Sequence, residues 1–203
     1  MYNFYYSEIG LNSKKGMIDL KKIYFVRHCS ADGQHKDSPL TKDGIMQAQL
    51  LADFFHEQNI TFDRIISSPY LRAIESIKPF AESMGITIDV DNRLEERILS
   101  DEPIEDWLEE LEYSFNDYAY ALHGGESANA VINRANEVLM PILNENTATN
   151  AIIVSHGNLL ALLYSQFDKS FGFTQWKELG NPDIYLLTFN DEVISFEHVW
   201  NSK

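Results

Sequence analysis

The residues best suited to chemistry in this chain are histidines and arginines that follow short apolar runs. Arg27 and His28 come directly after the first run, and His156 ends a later one. Arg72 follows another run, beyond a Ser-Ser-Pro turn. Arginine presents N–H donors that match phosphate oxygens, and two arginines with two histidines would form a pocket of positive charge. The pattern predicts phosphoryl transfer.

A histidine can be the nucleophile of such a reaction. A neutral imidazole attacks phosphorus in line, while arginines and a second histidine stabilise charge on the equatorial oxygens. The leaving alkoxide needs a proton, which a carboxylic acid can supply and later recover from water. The nearest carboxyl groups, Glu95 and Glu96, follow the third apolar run. The residues by themselves leave both open as acid and base.

Two other hydrolytic chemistries fit the sequence less well. A cysteine-dependent phosphatase would use Cys29, but its loop needs an arginine six residues later, and position 35 is a histidine. A metal-dependent hydrolase would need ligand spacing such as HExxH or an Asp-rich cluster, and the sequence has neither. We therefore expect no metal site and no cofactor.

Size and charge narrow the class of protein further. The chain has 203 residues, of which 44% are apolar, enough for one compact domain with a sizeable core. With 16 basic against 31 acidic side chains, its net charge is −15. Such a charge repels nucleic acids and anionic membrane surfaces, so we expect a small-molecule phosphate ester as partner. The sequence leaves the oligomeric state undetermined.

The single cysteine and the N-terminal composition bear on location. One cysteine cannot form an internal disulfide framework, which fits a reducing compartment. Residues 1–22 are aromatic and polar, without the apolar core of an export signal. We expect a cytoplasmic protein in which residues 1–22 are an extension of uncertain order and residues 23–203 form the catalytic domain.

Strand and helix patterns alternate along the chain and would position these residues. Apolar β-rich runs alternate with stretches whose apolar residues recur at helical spacing, and Thr41 is placed to cap the first helix. A final pair of runs, at 184–189 and 193–196, indicates an antiparallel hairpin at the sheet edge. The order predicts a three-layer α/β/α sandwich with a mostly parallel sheet. The predicted parallel strands are residues 23–26, 64–67, 86–90 and 151–154.

Residues 97–125 interrupt this alternation. The segment is rich in acidic and aromatic residues and ends at a Gly-Gly pair, which indicates an inserted helical cap. Its aromatic side chains could line a substrate mouth or pack the cap onto the domain. Pro141, inside the next amphipathic helix, is expected to kink or end that helix.

Motifs in a particular order connect these residues to a known family. They are Arg27-His28, Leu40-Thr41 with Gly44, Ser67-Ser68-Pro69 with Arg72, residues 93–96, residues 124–127 and Ser155-His156-Gly157. Over roughly residues 22–190, the chain resembles the histidine phosphatase superfamily, in its phosphoglycerate mutase-like branch. Several ordered motifs are far more specific than any one of them.

The resemblance implies roles for individual residues. His28 matches the histidine that is phosphorylated, Arg27 and Arg72 match the phosphate-binding arginines, and His156 matches the second histidine of the pocket. The acid and base of the family is the second residue after the motif's leucine, which here is Glu96. Glu95 stays open as the alternative.

The chain departs from the family pattern next to the nucleophile. Cys29 stands where the family usually has glycine, and a required positive φ there would strain the backbone. The usual acidic residue and asparagine of the following loop are also missing, and Gln34 could offer an amide to the phosphate instead.

These observations predict a metal-independent phosphatase that forms a phosphohistidine intermediate. Phosphoglycerate mutase-type transfer is the nearest alternative, but it calls for more basic residues, and the insert has Arg97 as its only arginine and contains no lysine. A non-catalytic phosphate-binding protein is the other alternative. It would be expected to lose His28 or the acid, and both are present.

Overall fold

A computed structural model of the chain describes residues 20–145, 147, 149–190 and 193–200. In this part of the chain, six strands form one sheet in the order β3-β2-β4-β1-β5-β6. They are β1 (Lys21–Arg27), β2 (Arg64–Ser67), β3 (Ile88–Val90), β4 (Thr149–Ser155), β5 (Asp183–Phe189) and β6 (Ile194–His198). Strands β1 to β4 are parallel, while β5 runs antiparallel to β1 and forms a hairpin with β6.

Six helices flank the sheet. They are α1 (Lys42–Glu57), α2 (Leu71–Met84), α3 (Trp107–Asn116), α4 (Ala128–Asn144), α5 (Gly157–Tyr164) and α6 (Phe173–Glu178), and a short 3-10 turn spans Asn92–Leu94. Thr41 caps α1 as predicted, because its hydroxyl accepts a hydrogen bond from the Gly44 amide. Gly85 ends α2 with a φ of 67°, a conformation that glycine adopts without strain.

Each face of the sheet carries its own hydrophobic core. Successive side chains of a strand point to opposite faces, so Ile23 and Phe25 pack with α4 and α5, while Tyr24 and Val26 pack with α1 and α2. All four side chains are at most 2% exposed. The predicted three-layer α/β/α sandwich is therefore confirmed.

Several boundaries differ from the sequence predictions. Strand β3 starts at residue 88 rather than 86, and β1 starts at Lys21, two residues before the predicted domain boundary. Pro141 does not end α4, which continues to Asn144. A proline inside a helix removes one hydrogen bond, and the apolar face of α4, from Val131 to Leu143, remains buried against the core on both sides of that position.

The predicted cap contains one helix, α3. Arg97, at its start, is buried and ties the segment together, since it donates to the carbonyl of Glu126 and to the hydroxyl of Ser114. Leu111 and Phe115 of α3 pack on the core of the domain. Residues 1–19, most of the predicted extension, lie outside the described residues.

The described part of the chain contains no helix with the length and apolar character that crossing a bilayer requires.

Candidate active site

The strand order brings the predicted site residues to one edge of the sheet. Strands β1, β4 and β2 are neighbours and parallel, so their carboxyl ends meet at the same edge. Arg27 ends β1 and His28 follows it, while His156 follows β4. The imidazole rings of His28 and His156 lie 5.1 Å apart, between their centroids.

Hydrogen bonds on both ring nitrogens fix the tautomer of His28. Its Nδ1 lies 2.7 Å from the carbonyl oxygen of Cys29, which can only accept, so Nδ1 carries the proton. Its Nε2 accepts a hydrogen bond of 3.2 Å from Nε of Arg72. The Nε2 lone pair is thus free of a proton, as a nucleophile requires.

Burial keeps this imidazole neutral. Only 8% of His28 is exposed, and burial lowers its pKa to about 3. The hydrogen bond to the Cys29 carbonyl opposes this shift, while the charges of Arg72 and Arg27 add to it. At neutral pH the side chain is uncharged and can attack an electrophile.

Arg72 joins the two histidines. It lies in the first turn of α2 and is 1% exposed. Besides its bond to His28, its Nη2 lies 3.3 Å from Nδ1 of His156, and its Nη1 donates to the carbonyls of Gln34 and His35. These bonds hold the guanidinium at the floor of the pocket, where its charge faces both rings.

His156 is fully buried and held by a serine. Its Nε2 lies 2.7 Å from the hydroxyl of Ser68, and since Nδ1 accepts from Arg72, Nε2 is the donor. Burial lowers the pKa of His156 well below its usual value, and the neighbouring charges of His28 and Arg72 lower it further. The ring therefore stays neutral beside the arginine until an anion enters.

The guanidinium of Arg27 has a buried nitrogen that is still available. Its Nη1 donates to the carbonyl of Leu179 at 2.6 Å, whereas its buried Nε has no hydrogen-bond partner. The guanidinium lies against Gly157, where an added Cβ would be 3.0 Å from the central carbon of the guanidinium. A buried donor without a partner next to His28 is suited to a phosphate oxygen.

The two candidate carboxyl groups have different surroundings. Glu96 lines the cleft above His28, and its carboxylate accepts from the amides of Arg97, Asn158 and Leu159, the last two in the first turn of α5. Glu95 points to Lys36, with which it forms an ion pair of 3.2 Å. The structure thus brings Glu96, rather than Glu95, to the cleft that His28 lines.

The cleft over His28 has a volume of about 210 Å³ and is mostly polar. Its lining residues are Arg27, His28, Ser30, Ala31, Gly33, Gln34, Glu96 and Asn181. Gln34 is an exposed member of this lining, and its carbonyl receives the bond from Arg72. The volume suits a phosphate group with a small part of an alcohol.

Asn181 was missed by sequence reasoning. Its amide Nδ2 donates to the backbone carbonyl of His28 at 2.6 Å. It precedes β5, whose start lies at the edge where the parallel strands end, because β5 is antiparallel to β1. The sequence does show a polar residue in the Gly-Asn-Pro turn before that strand. Assigning this residue to the site, however, required knowing the direction of β5.

Cys29 occupies the position of the family glycine without backbone strain. Among the described residues, the only non-glycine with a positive φ is Asn59. The Cys29 side chain is buried in the core with Val26 and Ala48, and its amide donates to Ser76. Burial raises the pKa of this thiol to about 12, so it remains a protonated packing group.

Solved structures share this fold. A mycobacterial glucosyl-3-phosphoglycerate phosphatase superposes with a TM-score of 0.68 at 23% identity, covering 91% of this chain and 100% of that one. A phosphoglycerate mutase from Bacillus anthracis has a TM-score of 0.68 at 18% identity, covering 90% and 93%. The fold is therefore of the phosphoglycerate mutase-like class.

Sequence comparison supplies the family. Residues 23–202 match the histidine phosphatase superfamily (branch 1). A relative from Yersinia pestis, described as "Probable phosphoglycerate mutase GpmB", is 32% identical over 160 residues, which cover 71% of this chain and 73% of the relative. The chain belongs to the histidine phosphatase superfamily, as the motifs predicted.

Proposed function

We propose that the protein is a metal-independent phosphatase that hydrolyses phosphate monoesters through a phosphohistidine on His28. The observation that carries the proposal is the state of the His28 ring. Its Nδ1 is bound to a carbonyl, its Nε2 lone pair is unprotonated, and an arginine on each side supplies donors for an anion.

In the first step, Nε2 of His28 attacks phosphorus as the bond to the alcohol oxygen breaks. The guanidinium of Arg72, now bound to Nε2, is placed to shift its N–H to a phosphate oxygen, and Nε of Arg27 binds another. His156, whose ring centroid lies 5.1 Å from that of His28, contributes to stabilising the same charge. Glu96, which lines the cleft and carries a proton when the substrate is bound, delivers that proton to the leaving alkoxide, and the alcohol departs.

In the second step, water attacks the phosphorus of the phosphohistidine from the side that the alcohol left. Glu96 takes the proton from this water, the bond from phosphorus to Nε2 breaks, and inorganic phosphate leaves. The Nδ1–H bond to Cys29 keeps the ring in the same tautomer throughout, so Nε2 is again free for the next substrate.

Hydrolysis is favoured over mutase-type transfer by the position of Arg97. A mutase must hold the substrate carboxylate while the phosphoryl group returns to a second hydroxyl. Arg97, the only arginine of a cap that has no lysine, is buried and bound to Glu126 and Ser114 instead. Mutase transfer remains the second candidate, on the 32% identity to the Yersinia protein.

The proposal is tested by phosphate release from aryl and alkyl phosphates in excess chelator. We expect turnover by the unmodified protein and its loss in His28→Ala, with Cys29→Ala as the adjacent buried control that retains it. Transfer of the substrate's phosphate to a residue other than His28, in an acid-stable linkage, would contradict the phosphohistidine intermediate. Turnover by His28→Ala would contradict it as well. Conversion of 3-phosphoglycerate to 2-phosphoglycerate without phosphate release would favour the mutase, and inactivity in both assays would favour a binding role.

The acid is identified by comparing two leaving groups. An aryl oxide leaves without much help, whereas an alkoxide needs a proton. Glu96→Gln is therefore expected to lower turnover of an alkyl phosphate about a hundredfold and of 4-nitrophenyl phosphate much less. Glu95→Gln is the matched control, and a leaving-group dependence in that variant instead would assign the role to Glu95.

A further inference from the structure

The cleft offers little positive charge beyond the two arginines that hold the phosphate. Of its described lining residues, Arg27 is the only lysine or arginine, and Glu96 adds a carboxylate. Arg72 lies below the lining and already donates to both histidines. A second anionic group on the substrate would therefore find no further lysine or arginine in this lining to bind it.

Cations on the neighbouring segments are engaged with protein groups. Arg93 binds Asp91 at 2.6 Å, and Arg134 binds Glu126 at 2.7 Å. Lys36, the basic residue nearest in sequence to the lining residue Gln34, is paired with Glu95. Each positive charge is thus offset by a carboxylate before a substrate arrives.

The Lys36–Glu95 pair lies beside the pocket. Tyr70, whose ring centroid is 4.7 Å from that of His156, lies close enough to both members of the pair to be influenced by their charges. In the proposed mechanism Glu96 reaches the leaving oxygen, so the alcohol extends toward the segment that carries Glu96. That segment and the loop just before Lys36 are two walls of the cleft. Lys36 and Glu95 join these two walls with a bond of 3.2 Å, and their side chains are 51% and 30% exposed.

We propose that this protein selects phosphate monoesters whose alcohol part carries no negative charge, and that the Lys36–Glu95 pair is the specificity determinant. Because Lys36 is paired with Glu95, it offers no net positive charge to a substrate carboxylate, and the acidic protein, with a net charge of −15, repels that carboxylate. The inference rests on the proposed phosphatase function and names the substrate class of the same site.

A matched pair of substrates isolates this charge. Glycerol 3-phosphate and 3-phosphoglycerate differ only in a hydroxymethyl group against a carboxylate. With 4-nitrophenyl phosphate as the reference for an intact nucleophile, we expect kcat/KM for glycerol 3-phosphate to exceed that for 3-phosphoglycerate by about tenfold. The preference should shrink at high salt, because the Debye length falls from about 10 Å at 0.1 M to about 3 Å at 1 M.

Three variants test the ion pair by the sign of their effects. Glu95→Gln frees Lys36 and should improve the ratio of 3-phosphoglycerate to glycerol 3-phosphate turnover about threefold or more. Lys36→Met leaves Glu95 uncompensated and should worsen that ratio. The double variant should return near the unmodified protein. A loop that was merely disturbed would shift the ratio in the same direction in all three variants.

Opposite outcomes separate the inference from the function on which it rests. Equal or better use of 3-phosphoglycerate by the unmodified protein, or unchanged ratios in the variants, would overturn charge selection while leaving the phosphatase in place. Loss of all turnover in Glu95→Gln would also overturn it, because Glu95 would then act in the chemistry. Inactivity of the unmodified protein on 4-nitrophenyl phosphate and both esters would instead count against the proposed function.

Discussion

Two neutral histidines are buried beside two arginines, an arrangement that makes protonation of either ring unfavourable in the folded state. Burial lowers the pKa of His28 to about 3 and that of His156 well below its usual value. In the unfolded chain the same rings take up protons near pH 6.5. The folded protein does not bind those protons near pH 6.5, so the two histidines make its stability sensitive to acid.

The free energy of unfolding should therefore fall as the pH falls from about 6.5 toward 3. Between these values the unfolded chain binds a proton at His28 that the folded chain does not, which lowers stability by up to about 1.4 kcal/mol per pH unit. Urea titrations between pH 7.5 and 5 measure this slope. His28→Asn should reduce the slope of the free energy of unfolding against pH, and Cys29→Ala should leave that slope unchanged. Equal slopes in both variants would count against a neutral His28.

Asn181 is expected to position His28 rather than to bind substrate. Its bond to the His28 carbonyl holds the backbone of the nucleophile, so Asn181→Ala should lower kcat about tenfold with little change in KM. Asn150→Ala is the control, since it removes a similar amide-to-carbonyl bond, to Thr61, at the other end of β4. A rise in KM with unchanged kcat would show that Asn181 contacts the substrate instead.

Among the elements, the first turn of α5 organises the site. His156 caps this helix, Gly157 lies under the guanidinium of Arg27, and the amides of Asn158 and Leu159 bind the carboxylate of Glu96. The free N–H groups of a helix start attract anions, which explains why a carboxylate is held there. One turn of helix thus positions the side chains of Arg27, His156 and Glu96.

Gly157→Ala is expected to weaken phosphate binding without unfolding the protein. The new Cβ would lie 3.0 Å from Nε of Arg27 and would force its guanidinium to shift by a few tenths of an ångström. We expect kcat/KM to fall tenfold or more and product inhibition by inorganic phosphate to weaken. Gly172→Ala, where the nearest atom is 3.9 Å away, is the control. Equal activity of the two variants would show that the place of Arg27 does not matter.

At the scale of the whole molecule, β1 couples the two cores. Alternate residues of this one strand, such as Phe25 and Val26, enter opposite cores, and the strand ends at Arg27, next to His28. Neither core can lose its packing without disturbing the strand that the other uses. The site should therefore depend on both layers of helices at once.

Unfolding should consequently be a single cooperative transition. Trp176 packs against one core and Trp200 against the other, so variants that keep only one of these tryptophans report each side separately. Their fluorescence transitions in urea should coincide with each other and with the loss of phosphatase activity. Separate midpoints would show that one layer of helices unfolds alone.

Local chemistry in the sequence determined much of this protein. Apolar β-rich runs predicted the strands that precede His28 and His156, and Thr41 predicted the start of α1. Ordered motifs predicted the family. These features depend on residues close in the chain, where side-chain spacing and capping act. They were sufficient to place the nucleophile and both arginines at one edge of the sheet.

Contacts between distant residues were decided by the tertiary structure alone. The tautomer of His28 depends on Arg72, the choice of Glu96 over Glu95 depends on amides of α5, and Asn181 reaches the site because β5 runs antiparallel. The backbone at Cys29 has no positive φ, and the core receives its side chain, which the sequence alone did not show. Such outcomes follow from how helices and strands pack against each other, which no spacing along the chain specifies.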